Sequence, residues 1–307
     1  MFAGVSGGAL VAAGGANFPD RKPWEGGKKV WYDTVFVLEK PDGQWKVAGK
    51  LPRPLGYGVS ATWRDRVVCV GGSDLERHHA ECFTLAWRND KLMTNPLPPL
   101  PRPIANMSGA LLGDTLYIAG GIEKPDSTRP LKAFLALDLA AAKPVWRELE
   151  PWLGAARMLA IAAAQDGSFF LVSGADLSSD ADGKPVRTYL KDGYRYTPDK
   201  GWKRIADLPR AAVAAPSPAP TRGAMEFIVM SGDDASQLAT PPLQHKGFPR
   251  TTLVYNTRTD RWTDAAPKPV SAPRVTVPTA QWNGDWIVVS GEQRPGVRSP
   301  EVWSWRP

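Results

Sequence analysis

The residues best suited to chemistry lie near the C-terminus, in the stretch Trp286 to Arg298, W-I-V-V-S-G-E-Q-R-P-G-V-R. Trp286 to Ser290 is a short apolar run, β-branched at its centre, and reads as a buried strand. Gly291 breaks it, so Glu292 stands where the strand leaves its sheet. Arg298 follows after a turn at Pro295 and Gly296. A carboxylate at a strand end, with a guanidinium returned towards it, suits acid–base work on an anionic ligand. The carboxylate moves a proton, and the guanidinium holds negative charge in a planar fork. A plain loop ion pair would have the same local sequence, so the weight of this reading depends on the elements that carry it.

Those elements repeat. An apolar strand is broken by glycine at Gly14-Gly15, Gly71-Gly72 and Gly120-Gly121, and by Ser-Gly at Gly174, Gly232 and Gly291. The spacing is roughly 50 to 60 residues, the kelch period. A polar loop follows each break, then a further strand: Thr34–Leu38, Cys82–Ala86, Ala133–Leu137, Gly193–Tyr196, Thr251–Tyr255 and Glu301–Trp305. The next strand carries a tryptophan in four units, at Trp45, Trp146, Trp202 and Trp262. Pro-rich linkers such as L-P-R-P at 51–54 and 100–103 lead into the next unit. The pattern resembles the kelch family along the whole chain. It implies an all-β fold, a six-bladed β-propeller of four-stranded blades, formed by 1–307 as a single domain. Most tryptophans are then expected in the packing between blades. The last unit ends just after its third strand, so its outer strand is expected to be missing. Nothing before Ala3 could supply it, which suggests a chain that starts late.

Composition narrows the functional classes. In 307 residues there are 29 glycines, 30 prolines and 13 tryptophans, a turn-rich and ring-rich chain. The net charge of +7 is spread out, with no basic helix and no run of like charge. Nucleic acid is therefore not an expected partner, whereas a small acidic ligand is. No apolar run is long enough to span a membrane. The N-terminal M-F-A-G-V-S-G-G-A-L-V-A-A-G-G lacks the basic start of a signal peptide and reads as strand. Periplasm and cytoplasm both remain open. Cys69 and Cys82 could be a disulfide or two free thiols.

In an up-down-up-down blade, the loop after the second strand and the linker after the fourth emerge on one face. The loops after the glycine breaks and the inter-blade linkers therefore share a mouth. They bring Asn17, Phe18, Tyr57, Asn106, Arg157 and Arg274 to the face of Glu292, as candidate substrate-binding residues. Other linker arginines, Arg53, Arg102 and Arg210, join the same ring. Such a ring suits an anion, although part of it is expected to be scaffold.

Two local sequences narrow the resemblance. G-G-A-N-F-P at 14–19 with W-E-G-G-K-K-V-W-Y-D at 24–33 is one, and S-G-E-Q-R-P-G-V-R at 290–298 is the other. Together they resemble the N-acetylneuraminate epimerase (sialic acid mutarotase) family, in a cyclically permuted arrangement. The resemblance implies Glu292 as proton acceptor and Arg298 as its active-site partner. It further implies an isomerase that interconverts the anomers of a sugar acid by ring opening, with no cofactor and no metal. For the acid that protonates the ring oxygen, Glu25, Tyr57 and water are all open. A copper-oxidase propeller would need histidines that this chain does not distribute suitably: His78 and His79 adjoin, and His245 is the only other. The turn T-P-D-K-G-W at 197–202 only half matches the sialidase repeat. A non-catalytic propeller that binds an acidic peptide or glycan is the rival reading. The two differ in whether Glu292 faces the mouth beside Arg298 or points to solvent.

Overall fold

Each apolar run that ends in a glycine break becomes the second strand of a small antiparallel sheet, and six such sheets form a six-bladed β-propeller. The computed structural model describes residues 1–264 and 270–306. The first blade consists of Phe2–Ser6, Ala9–Ala13, Thr34–Leu38 and Lys46–Lys50, from centre to rim. The second runs Val59–Trp63, Arg66–Ser73, His78–Arg88 and Lys91–Leu97; the third, Ser108–Leu112, Thr115–Ala119, Phe134–Asp138 and Trp146–Glu148. The fourth is Ile161–Gln165, Ser168–Val172, Gly193–Thr197 and Gly201–Ile205; the fifth, Thr221–Arg222, Glu226–Met230, Thr252–Asn256 and Arg261–Asp264. The sixth has three strands among the described residues, Thr279–Trp282, Asp285–Val289 and Val302–Trp305. The expected absence of a fourth strand there matches this sheet. The helical content among the described residues is one 3-10 turn, Pro23–Glu25.

Alternation along the strands explains the packing. Period two sends successive side chains to opposite faces, and each face meets a neighbouring blade. Val11, Val35 and Val37 pack on Val67, Phe83 and Leu85 of the second blade. Val68 and Val70 pack instead on Leu116, Ile118 and Leu135 of the third. The ring closes where Leu10 and Leu38 of the first blade meet Ala280, Trp282 and Ile287 of the sixth. Each large apolar side chain so buried contributes about 1.5–3 kcal/mol. The same alternation settles the cysteines. Cys69 pairs in register with Phe83 and Cys82 with Val70, so the two thiols lie on opposite faces of one sheet, and both are free.

The outer-strand tryptophans behave periodically. The indole N–H of Trp146 donates to the Pro98 carbonyl at 2.9 Å, that of Trp202 to Glu150 at 2.8 Å, and that of Trp262 to Ala206 at 2.8 Å. Each tryptophan thus bolts its blade to the chain leaving the blade before it. Trp45, beside the three-stranded sixth blade, is instead exposed, as is Phe36.

The mouth is built from the loops and linkers together. Linker residues Gly56, Ala105, Met158, Val213 and Val275 bridge to Ser73, Ile122, Ala175, Asp233 and Glu292, each just past a glycine break. The approach is close. A Cβ on Gly72, where φ is +105°, would fall 2.5 Å from the Gly56 carbonyl oxygen, so only glycine fits there. Inside this ring runs a second one. The amides of Asn106, Leu159, Ala214 and Thr276 donate to the carbonyls of Tyr57, Asn106, Leu159 and Ala214, at 2.7–2.9 Å. All five residues have left-handed backbones, with φ between 54° and 61°.

Candidate functional site

The last post-glycine loop folds as a small hairpin, Glu292–Arg294 against Val297–Arg298, in which Glu292 and Arg298 are direct cross-strand partners. The Pro295–Gly296 turn sets this register. Gly296 has φ +74°, and its Cα lies so close to Pro23 that a Cβ would come within 2.8 Å of it. The 3-10 turn of the first blade is thereby packed onto the turn of the sixth. The Glu292 carboxylate accepts the Gly296 amide through Oε1 at 2.6 Å, and its Oε2 lies 3.2 Å from Arg298 Nη2. Both side chains are largely buried, 17% and 14% exposed, so the carboxylate is turned to the guanidinium and not to solvent.

Arg298 is held from three directions. Its Nη2 also donates to the Tyr57 hydroxyl at 3.1 Å, and its Cζ stands over the Phe18 ring at 5.9 Å. Its Nη1 is buried and has no partner among the described residues. Beside it opens a cleft of about 640 Å³ between the first and last blades, lined by Asn17, Tyr57, Thr276 and Arg298 at the mouth and by Phe36 and Trp45 towards the rim. Tyr57 reaches the cleft from a left-handed backbone, φ 61°, a conformation uncommon for a bulky residue.

The sequence-derived site residues separate into two groups. Glu292, Arg298, Phe18 and Tyr57 form one cluster, Asn17 lines the adjoining cleft, and Asn106 is joined to Tyr57 through the inner ring. Asn106 itself borders a central cavity of about 70 Å³. Arg157 and Arg274 stand apart from this cluster, each paired with an acid of its own blade. Arg157 is fully buried. It donates to the Ser173 carbonyl at 2.9 Å and to Asp192 Oδ2 at 2.8 Å, and it stands over the rings of Trp152 and Tyr194. Arg274 is 3% exposed, paired with Glu301 and bonded to the Pro273 carbonyl at 3.0 Å. Arg53 takes Glu81 in the same manner at 2.7 Å. These linker arginines pin each linker to an acid in or just before the third strand of its blade.

Sequence reasoning passed over Lys29 and Trp31. The Lys29 ammonium stands 5.5 Å from the Phe18 ring, 5.5 Å from Trp31 and 5.3 Å from Tyr57. The Trp31 indole N–H is buried without a partner, like Arg298 Nη1. The W-E-G-G-K-K-V-W-Y-D run contained the hint, because Lys29 and Trp31 are two apart and so share one side of an extended segment. The histidines serve the loops. His79 Nε2 lies 2.7 Å from Asp74 Oδ2, His78 Nδ1 lies 3.0 Å from the Ile122 carbonyl, and His245 accepts the Gly247 amide. Burial pushes the His78 pKa below its ordinary value. Among the described residues no group of three or more His, Cys, Asp or Glu is placed to hold a metal ion.

Comparison with known proteins meets this geometry at the first blade. Residues 1–94 match the N-acetylneuraminate epimerase family. N-acetylneuraminate epimerase of Yersinia pestis is 39% identical over 103 residues, which are 30% of this chain and 25% of that one. The enzyme so named in Yersinia enterocolitica is 40% identical over a stretch of the same length and coverage. That of Salmonella enteritidis is 42% identical over 82 residues, 24% of this chain and 21% of its own. The chain thus spans about a quarter of the length of the curated relatives it matches. The matched residues 1–94 hold Asn17, Phe18, Lys29, Trp31 and Tyr57, while Glu292 and Arg298 lie outside them.

Proposed function

We propose that this protein interconverts the α and β anomers of N-acetylneuraminate by general acid–base ring opening. The observation that carries the reading is the Glu292–Arg298 pair, whose arginine lines the cleft beside Tyr57 with one guanidinium nitrogen that has no partner among the described residues. A buried donor without a partner is costly, on the order of 1–3 kcal/mol, unless a ligand completes it. A substrate carboxylate is the natural acceptor for that nitrogen.

The chemistry moves one proton at each end. Glu292 takes the proton of the anomeric hydroxyl. The bond from the anomeric carbon to the ring oxygen breaks as the carbonyl forms, and the ring oxygen receives a proton. The open chain turns its carbonyl over and closes on the other face by the reverse steps. Of the candidate acids, Tyr57 is the better placed. Its hydroxyl lines the cleft and accepts from Arg298, which leaves its own proton free to donate. Glu25 instead caps the 3-10 turn, where its Oε2 accepts the Lys22 amide at 2.9 Å. Positioned acid–base groups of this kind are worth about 10²–10⁴-fold, enough for a ring opening that water already allows slowly.

The test is proton NMR of freshly liberated α-N-acetylneuraminate with and without the protein. Faster approach to the equilibrium anomer ratio is expected. An unchanged rate, with tight binding of an acidic peptide or glycan, would sink this reading in favour of a non-catalytic propeller.

A further inference from the structure

The Glu292–Arg298 pair is electrically balanced. At 3.2 Å the carboxylate cancels most of the guanidinium's long-range attraction for an anion. Hydrogen-bond geometry remains at Arg298, but a net preference for an acidic over a neutral ligand needs a further positive charge nearby. Lys29 meets that description. It has no carboxylate within ion-pair distance among the described residues, unlike Lys46 and Lys50, which reach Glu39 and Asp33 at 2.6 and 3.1 Å. It is half-buried and held in place by three aromatic faces. Two of those faces, Phe18 and Tyr57, are also the contacts of Arg298. The rings fix the ammonium without neutralising it, because a ring quadrupole attracts a cation and carries no net charge.

We propose that Lys29 is the specificity-determining residue of this cleft, supplying the uncompensated charge that selects a carboxylate-bearing sugar over its neutral counterpart. The proposal rests on the functional reading above and adds to it the source of charge selection. In this division of labour Arg298 orients the carboxylate and Lys29 draws it in, while Glu292 stays available for the proton. Tyr57 couples the two cations, since its ring faces Lys29 and its hydroxyl faces Arg298.

The experiment compares N-acetylneuraminate with its uncharged methyl ester in wild-type protein, Lys29→Met and Lys29→Arg, with anomer exchange read by NMR over a range of sugar concentrations. In Lys29→Met the preference for the acid over the ester is expected to fall about tenfold, through KM, with kcat and the ester's own kcat/KM little changed. Lys29→Arg should restore it. A residue that only braced the loop would slow both sugars alike and leave their ratio intact, and an unchanged ratio in Lys29→Met overturns the proposal. If Lys29→Met does not fold, Lys29→Gln gives the same comparison. Wild-type protein that exchanges neither sugar overturns the mutarotase reading instead. Calorimetric titration of the same two sugars then decides Lys29 separately: an acid preference lost in Lys29→Met supports it, and one retained, or no binding at all, defeats it.

Discussion

The sixth blade carries two arginine–glutamate pairs, and they do different work. Arg274 and Glu301 join a linker to the start of a third strand, an arrangement that recurs as Arg53–Glu81 and Arg157–Asp192. Arg298 and Glu292 sit on the hairpin after the glycine break; the same loop is two-stranded in the first and fourth blades, Ala16–Asn17 with Val30–Trp31 and Ala175–Ser179 with Pro185–Tyr189, but among the described residues no ion pair crosses either. In the sixth blade the linker pair buries the cation and leaves its acid at the surface, with Arg274 at 4% and Glu301 at 69% side-chain exposure. The hairpin pair keeps both members largely buried, 14% and 17% exposed, with Arg298 on the wall of a cleft. An arginine–acid pair that recurs from blade to blade reads as frame, and the pair that does not recur is the candidate site.

The contrast can be broken at several points. The largest effect is expected at Arg157. Replacing it with methionine leaves Asp192 buried without its cation and should cost about 3–5 kcal/mol, visible in urea unfolding, while anomerisation per folded molecule stays within twofold. Asp192 also predicts a pH dependence. Burial pushes its carboxyl up, but the hydrogen bond and charge of Arg157, with the Tyr194 hydroxyl, pull it further down, so the net value lies below the ordinary one. A depressed value in the fold means that its stabilisation is complete above the unfolded value near 4 and is lost as pH falls through the folded one. Wild-type stability should therefore drop in acid below about pH 4 more steeply than that of Arg157→Met.

Next in size is Glu292→Gln. The amide oxygen can still accept the Gly296 N–H, so the hairpin and the unfolding midpoint should be preserved. The anomerisation rate should fall by about 10²-fold or more, and a variant as fast as wild type would remove Glu292 from the mechanism. Arg298→Ala should weaken sugar binding by about tenfold or more and slow the reaction as well, with titration calorimetry as the check. Equal affinity for the sugar would put Arg298 with the frame arginines. The smallest change belongs to Glu301→Gln. Its exposed carboxylate is worth at most about 1 kcal/mol, and rate and binding should be indistinguishable from wild type.

The blade pattern was legible because it is written in backbone terms. A glycine after an apolar run marks where a strand must turn beside a linker carbonyl; five of the six breaks fall just past the second strand, and Gly71-Gly72 falls inside Arg66–Ser73 at a register shift. Glu292 and Arg298 were legible because a tight turn between them forces a hairpin, which makes them cross-strand neighbours. Arg157 and Arg274 turn away from the Glu292 cluster for a physical reason. Topology places their backbones at the mouth, but side-chain direction depends on whether an acid waits nearby. That acid was visible: Glu81, Asp192 and Glu301 each stand at or just before a third strand, 28, 35 and 27 residues beyond their arginines. The three-ring seat of Lys29 was hidden, because Tyr57 comes from the next linker and Phe18 from the far side of a loop.

The inner ring of left-handed residues behaves mechanically like a snap ring. Four links run from Tyr57 through Asn106, Leu159 and Ala214 to Thr276, and among the described residues none joins Thr276 back to Tyr57. The two free jaws, Tyr57 and Thr276, are both walls of the cleft. Any breathing of the barrel then concentrates its displacement at that gap, because every other joint is tethered on the inside. The proposed ligand would enter at that gap, where the Tyr57 hydroxyl is tied across it to Arg298.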